Sequence, residues 1–403
     1  MSVGISLEGR VYSTQVYNGI DGTLVVDFDA GDYESGSTWD SSETGETWTI
    51  NGNASIYQGY WDAKGPFGYM AEAAATNLCL QSEDFSTTWS ANRTTVTANA
   101  AVAPDGTMTA DKLDNSGTTS DRMVMYQSFT STNATYSQSC YFQAGTIAFA
   151  QLGFYDGSST YFAGFNLLTG AEDFADAGTT TSIEDAGDGW YRCTVHFLYP
   201  STTGRIYVGG YKTTNTPIYA PSVTNADYVY TWAAQAELGS FPTAYIPTTT
   251  TSVTRNADVL TYDDAGNIED AAGTAYVEAS SDWSSQSAQR YALSRYGNGY
   301  FPRATTTSSS VASYDGTNFS LSPSGTSFYR TPQKTATTWG DALTAYSPAA
   351  LQPDASPALY DGTIGTGDIG VGSSNGGTNQ WSGTIRNVQI YSTELTAAEV
   401  QDI

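Results

Sequence analysis

This sequence is short of almost everything that reactive chemistry or helix formation is built from. It holds one histidine, His196, and three cysteines, Cys79, Cys140 and Cys193, in 403 residues. One imidazole and three thiols, all in strand-like runs, are not placed to supply a zinc ligand set, and so few cysteines do not make a disulfide scaffold. Each cysteine sits in an apolar, strand-like run, which predicts buried free thiols. Charged residues make up 14%, against about 25% in an ordinary domain. The shortage is one of bases: 15 Lys and Arg stand against 41 Asp and Glu, for a net charge of −26. That balance repels nucleic acid and anionic membranes. No run approaches the ~20 apolar residues of a membrane span, and MSVGISLEGR at the N-terminus lacks the apolar core of a secretory signal. The expectation is a protein made and kept soluble without export. Sustained helical periodicity is missing too.

What is present points to strands. There are 29 Tyr, 15 Phe, 9 Trp and 40 Gly, with Thr abundant, a mixture that favours pleated strands and turns. The fold class is all-β: two β-sandwich (jelly-roll) domains preceded by a small N-terminal β unit. Residues 1–70 hold short alternating runs such as GTLVVDFDA and ETWTINGNASIY, a unit that needs a partner to bury its faces. Residues 71–247 carry closely spaced strand candidates, among them RMVMYQSFT, GWYRCTVHFLY and DYVYTWAAQAEL, the grammar of a sandwich. Residues 248–269 continue the Thr-rich run after Pro247 and read as a linker packed along the surface. Residues 270–403 again read as sandwich strands and close on ELTAAEVQDI, where Thr396 and Glu399 form a capping box for the one clear helix.

Catalytic constellations are hard to assemble. In WYRCTVHFL, period-two alternation puts Trp190, Arg192, Thr194 and His196 on one face and Tyr191, Cys193, Val195 and Phe197 on the other. The second face is the inner one, so Cys193 points away from His196, which is expected on the exposed side. No G-x-S-x-G elbow accompanies the histidine. Acids in GIDG, ADAG and IEDAGDGW lie beside turn glycines and not in apolar walls. The chain therefore reads as a non-enzyme without cofactor. A hard-cation site stays open, since Glu83 and Asp84 of SEDF and Glu237 near the last strand would supply oxygen ligands for Ca²⁺ if first and last strands pair. The alternative is a solvated acidic turn. PDGT at 104–107 and YDGSS at 155–159 are turn chemistry.

Aromatic residues offer a different kind of site. An exposed ring stacks on the apolar face of a sugar while short polar side chains hold its hydroxyls. Trp89, Tyr155 and Tyr161 fall at loops or strand ends and are the candidate carbohydrate-binding residues. Trp190 and Trp232 are mid-strand and expected in the core.

In order along residues 68–259 come GYMAEAAATNLCLQSEDFSTTW, VTANAAVAPDGTMTADKL, DAGDGWYRCTVHF and WAAQAELGSFPTAYIPTTTTSVTRNADV. This succession resembles the phage head spike fibre domain, a carbohydrate-binding-type jelly roll. GTAYVEASSDW through WSGTIRNVQIYSTELTAAEV resembles concanavalin and laminin-G-like jelly rolls. Cys79, where leucine is expected after TNL, and Ala236, in place of a larger aliphatic, depart from the pattern. The resemblance transfers no catalytic residue. It implies a tailed-phage structural protein on the virion surface, assembled in the host cytoplasm: a capsid decoration or head spike, with a tail-associated receptor-binding adhesin as the alternative and a polysaccharide-degrading enzyme behind both. Its implied partners are the major capsid protein, further copies of itself, most simply as a trimer, and host-surface glycans.

Overall fold

The computed structural model describes residues 13–17, 24–29, 38–40, 47–49, 69–116, 123–199, 203–212, 227–262, 268–283, 289–295, 300–304, 309–365, 367–374 and 378–403. Within them the chain is β throughout, apart from the short helix Ala397–Gln401. That helix starts on the expected capping box: the Thr396 side chain accepts from the Glu399 N–H, and the Glu399 carboxylate accepts from the Thr396 N–H. Its buried Val400 joins Tyr276, Ala336, Tyr346 and Leu351, which anchors the C-terminus.

The first sandwich is made of two six-stranded antiparallel sheets. One, the front sheet, runs in the order Ala171–Ala175, Thr160–Asn166, Phe149–Tyr155, Thr203–Tyr211, Met123–Thr130, Ser90–Asn92. The back sheet runs Thr179–Asp185, Trp190–Tyr199, Ala134–Ala144, Tyr228–Leu238, Ala110–Asn115, Thr94–Ala101. Alternation does the sorting: Cys193, Val195 and Phe197 enter the core between the sheets, while Trp190 packs outside with Tyr141 and Trp232. Tyr199 lies at the centre of the core, with the rings of Phe129, Tyr136, Phe154 and Phe197 set edge-on at 5.2–5.4 Å. Such edge-to-face pairs are worth about 0.5–1.5 kcal/mol each beyond the area they bury. All three cysteines are free and buried.

The second sandwich pairs a seven-stranded sheet with a five-stranded one, ordered Thr344–Tyr346, Gln333–Trp339, Gly273–Ala279, Gly383–Tyr391, Tyr69–Ala71. Its core gathers Trp283, Phe328, Trp339 and Trp381. The last strand of that order comes from before the first sandwich. The first sandwich is therefore inserted between an edge strand of the second and the rest of it, and the chain crosses between them twice. The crossings lie side by side, and Arg255 holds them together with an ion pair to Glu72 at 2.9 Å and another to Asp258 at 3.1 Å.

The segment expected as a linker is more structured than its composition suggests. Val253–Arg255 pairs with Ala75–Asn77, and Leu260–Tyr262 pairs with Ile369–Val371 of the second sandwich. Just before it, the Thr243 N–H and hydroxyl bond the Glu237 carboxylate, and at its first residue the Thr248 hydroxyl donates to the Cys79 carbonyl at 2.6 Å. Threonine supplies both β propensity and a hydroxyl for this docking. In the N-terminal unit the described residues before 50 form two hairpins, Ser13–Tyr17 with Leu24–Asp29 and Thr38–Asp40 with Thr47–Thr49, while its last two belong to the edge strand Tyr69–Ala71.

Candidate functional site

The three aromatic candidates fall in different environments. Trp89 is buried, its ring 4.8 Å from Phe85 and its indole N–H donating to the Gln81 carbonyl at 3.1 Å. It seals the end of the core and offers no platform. Tyr161 points inward, 4.6 Å from Phe197, and its hydroxyl is bonded to Asp156. Tyr155, one register step away on the neighbouring strand, points to the outer face of the front sheet, where it joins a second aromatic cluster with Val124, Tyr126, Phe162, Phe174 and Tyr207. Only Tyr155 of the three faces a surface that a ligand can use.

That outer face is built in rows by the strand register. The first row sets Ser128, Arg205 and Tyr155 side by side; the second sets Ser90, Tyr126, Tyr207, Gly153 and Phe162; the third sets Asn92, Val124, Gly209, Gln151, Gly164 and Phe174. Glycine alternates with a ring because the rings lie down across the sheet. A Cβ on Gly153 would meet the Phe162 ring, and one on Gly164 would meet Phe174 and the Tyr211 hydroxyl. Within this floor of rings Phe162 and Tyr207 are buried, at 2% and 9% exposed, which leaves Tyr126, Tyr155 and Phe174 as its half-buried, accessible rings. At its far side Tyr211 donates to Asp173 at 2.9 Å, and burial, with that bond adding, pushes the Tyr211 phenol far up.

The open end of the floor carries charge. The Arg205 guanidinium lies 5.3 Å from the centroids of both Tyr126 and Tyr155, held between two rings whose faces attract a cation. Its Nε donates to the exposed Ser128 hydroxyl at 3.3 Å. Tyr126, Tyr155 and Arg205 are each half-buried. The Tyr155 hydroxyl is spent on the turn, donating to the Gly157 carbonyl at 2.7 Å, so the ring and not the hydroxyl is its usable part. The sequence reading missed Tyr126, Arg205 and Tyr207. Their signal was the shared outward parity of MVMYQSF, GRIYVGGY and FAQLGFY, with glycines in register beside rings.

The acids considered for a cation are engaged separately. Asp84 accepts from the Ser86 N–H and hydroxyl and from the Thr87 hydroxyl, Glu83 from the Tyr245 hydroxyl, and Glu237 from Gln235 and Thr243. Among the described residues no group of three His, Cys, Asp or Glu could hold a metal ion. Burial pushes the Cys140 thiol up to about 12 and raises the other two well above the ordinary thiol value, which keeps them protonated and unreactive. His196 is half-buried, not exposed as expected: burial, with Arg330 of the second sandwich nearby, brings its pKa down to about 4.

At this junction lies a cleft of ≈160 Å³ lined by Glu72, Glu237, Phe241, Asp282, Arg290 and Ser382, among others. Glu184 and Arg330 bridge the sandwiches with an ion pair at 3.1 Å. Asp282 opens onto the cleft, but the protein around it excludes enough bulk water to push its pKa up to about 7, with Glu184 and Glu72 adding and Arg330 and Arg192 opposing.

No family model matches this sequence, and no curated protein sequence matches it. Among solved structures the chain is similar to mouse laminin alpha1 chain, domains LG4-5, with 9% identity and a TM-score of 0.23 over 85% of this chain and 96% of that one.

Proposed function

We propose that this chain is a non-catalytic, adhesive structural protein of a tailed-phage particle, most simply a capsid decoration or head spike, that holds glycans on the outer face of its front sheet. The observation that carries the adhesive part is the pair of half-buried rings Tyr126 and Tyr155 at the edge of the outer aromatic cluster, beside Arg205 and Ser128, which add polar contacts. Rings held half-open on a rigid sheet suit sugar stacking, and strands hold them more firmly than a loop does. The virion assignment rests on the ordered sequence motifs between residues 68 and 259. In this reading the N-terminal hairpins dock on the major capsid protein. Edge strands with exposed residues, such as Thr94–Ala101 and Ala171–Ala175, are where copies associate, as a trimer by preference.

A particle reconstruction with the intact chain tests the location: density on the capsid supports decoration, and density on the tail favours a receptor-binding adhesin. A glycan array tests the adhesive part. Binding that falls at least tenfold in Tyr126→Ala, with an unchanged fold, supports it. Release of sugar fragments from a polysaccharide by the purified protein contradicts the non-catalytic reading.

A further inference from the structure

We infer that the floor selects acidic sugars, with Arg205 receiving the carboxylate of a uronic acid while Tyr126 or Tyr155 stacks on its ring; this rests on the adhesive reading above and makes it more specific.

The inference starts from how the basic side chains are used. In a chain with 41 acids and 15 bases, a basic side chain is expected to be neutralised by a neighbour. Lys112 pairs with Asp114, Lys212 with Asp227, Arg255 with Glu72 and Asp258, Arg295 with Asp270, and Arg330 with Glu184. Arg205 has no carboxylate partner among the described residues. Its neighbours are two phenol rings and one hydroxyl. Holding a guanidinium there against rings and a hydroxyl keeps its charge available to a ligand.

The geometry also fixes what that charge can receive. Cross-strand neighbours Ser128 and Tyr155 flank Arg205, and Tyr126 lies diagonally beside it. Rings on two sides and a bond from Nε restrain the side chain before any ligand arrives, which lowers the ordering cost of binding. The Nη nitrogens bond nothing among the described residues and form a planar pair of donors that matches a carboxylate. A neutral sugar would leave them without a charged acceptor. The net charge of −26 opposes a polyanion at a distance. At physiological ionic strength that repulsion is screened beyond ~8 Å, so contact at the floor decides the outcome.

The test compares polygalacturonate with its carboxyl-reduced, neutral polymer, measured by calorimetry on the full chain as wild type, Arg205→Gln, Arg205→Lys and Tyr126→Ala. The wild type should bind the acidic polymer roughly tenfold or more tightly than the reduced one, the range of a charge-assisted hydrogen-bond pair. Arg205→Gln should erase that ratio, and Arg205→Lys should restore only part of it, because a point charge lacks the planar fork. Thermal unfolding of each variant confirms that the fold is intact. Equal wild-type binding to both polymers, or a ratio unchanged in Arg205→Gln, overturns the selectivity and leaves adhesion standing. No binding to either polymer or to a broad neutral and acidic array overturns both readings.

Discussion

Asn77 shows how much one side chain carries here. It is fully buried, and its amide donates to the carbonyls of Ala234 and Ile246 while its oxygen accepts the N–H groups of Cys79 and Ala236. Every hydrogen-bonding position of the side chain is filled, and it ties the entry of the first sandwich to its last strand and to the segment that follows. Asn77→Ala strands four buried backbone groups. At ~1–3 kcal/mol for each such group before relaxation, the net loss should be about 3–5 kcal/mol, at the severe end for a point change. Asn77→Asp keeps the shape but loses both donors, and should be nearly as damaging. Urea unfolding measures both, and a loss under about 1 kcal/mol would dismiss the keystone role. Trp89→Ala should also cost about 3–5 kcal/mol, as a large buried aromatic does, without weakening glycan binding by the folded protein. At this scale the sequence was legible in type and not in place. Trp89 follows a polar turn and so looked exposed, but the Phe85 ring and the Gln81 carbonyl that bury it could not be read from their spacing.

The strands were more readable than their partners. Alternation in Trp190–Tyr199 sorted its two faces correctly, because side-chain direction along a strand is a local property. Pairing is not local. Nothing in Tyr69–Ala71 announces that it completes a sheet with Gly383–Tyr391, so the insertion of one sandwich into the other stayed hidden, and a Thr-rich run that forms paired strands read as a linker. The outward glycines belong to the same scale. Gly153 has a buried place beneath the Phe162 ring, and a strand glycine often marks such close approach. Gly153→Ala should force Phe162 to stand up, destabilise the first sandwich by about 1–3 kcal/mol as overpacking does, and break the flat floor. Its check is a paired one: a lower unfolding midpoint together with weaker glycan binding. A stability loss with undiminished binding would separate the floor from the site.

On the scale of the whole molecule, the two sandwiches meet at a junction where one carboxyl, that of Asp282, is still changing charge near neutral pH. Asp282 reaches into the junction cleft from the second sandwich and faces Glu72, Glu184, Arg192 and Arg330. Its pKa is raised to about 7, first by the exclusion of bulk water around its carboxyl though the residue opens onto the cleft, so the folded state holds a proton that the unfolded chain releases at its ordinary value near 4. The stability this contributes is complete below that lower value and is lost as pH rises through about 7. His196 works in the opposite sense. Burial and the neighbouring Arg330 bring its pKa down to about 4, so its contribution is complete above its ordinary value near 6.5 and is lost as pH falls through about 4. The two contributions run in opposite directions between about pH 4 and 6.5 and offset each other there, which leaves a net loss from Asp282 above about 6.5. Small-angle scattering on the intact chain should show the sandwiches separating between about pH 6 and 8, with a falling thermal midpoint. Asp282→Asn should remain compact across that range, since it cannot ionise beside Glu72 and Glu184. Asp111, raised to about 6 by burial within the first sandwich, also lowers stability over part of this window. It lies away from the cleft lining, so it should shift the thermal midpoint without changing the scattering. If Asp282→Asn expands with pH as the wild type does, the junction does not respond through this carboxylate, and the two crossings clamped by Arg255 hold the sandwiches together alone.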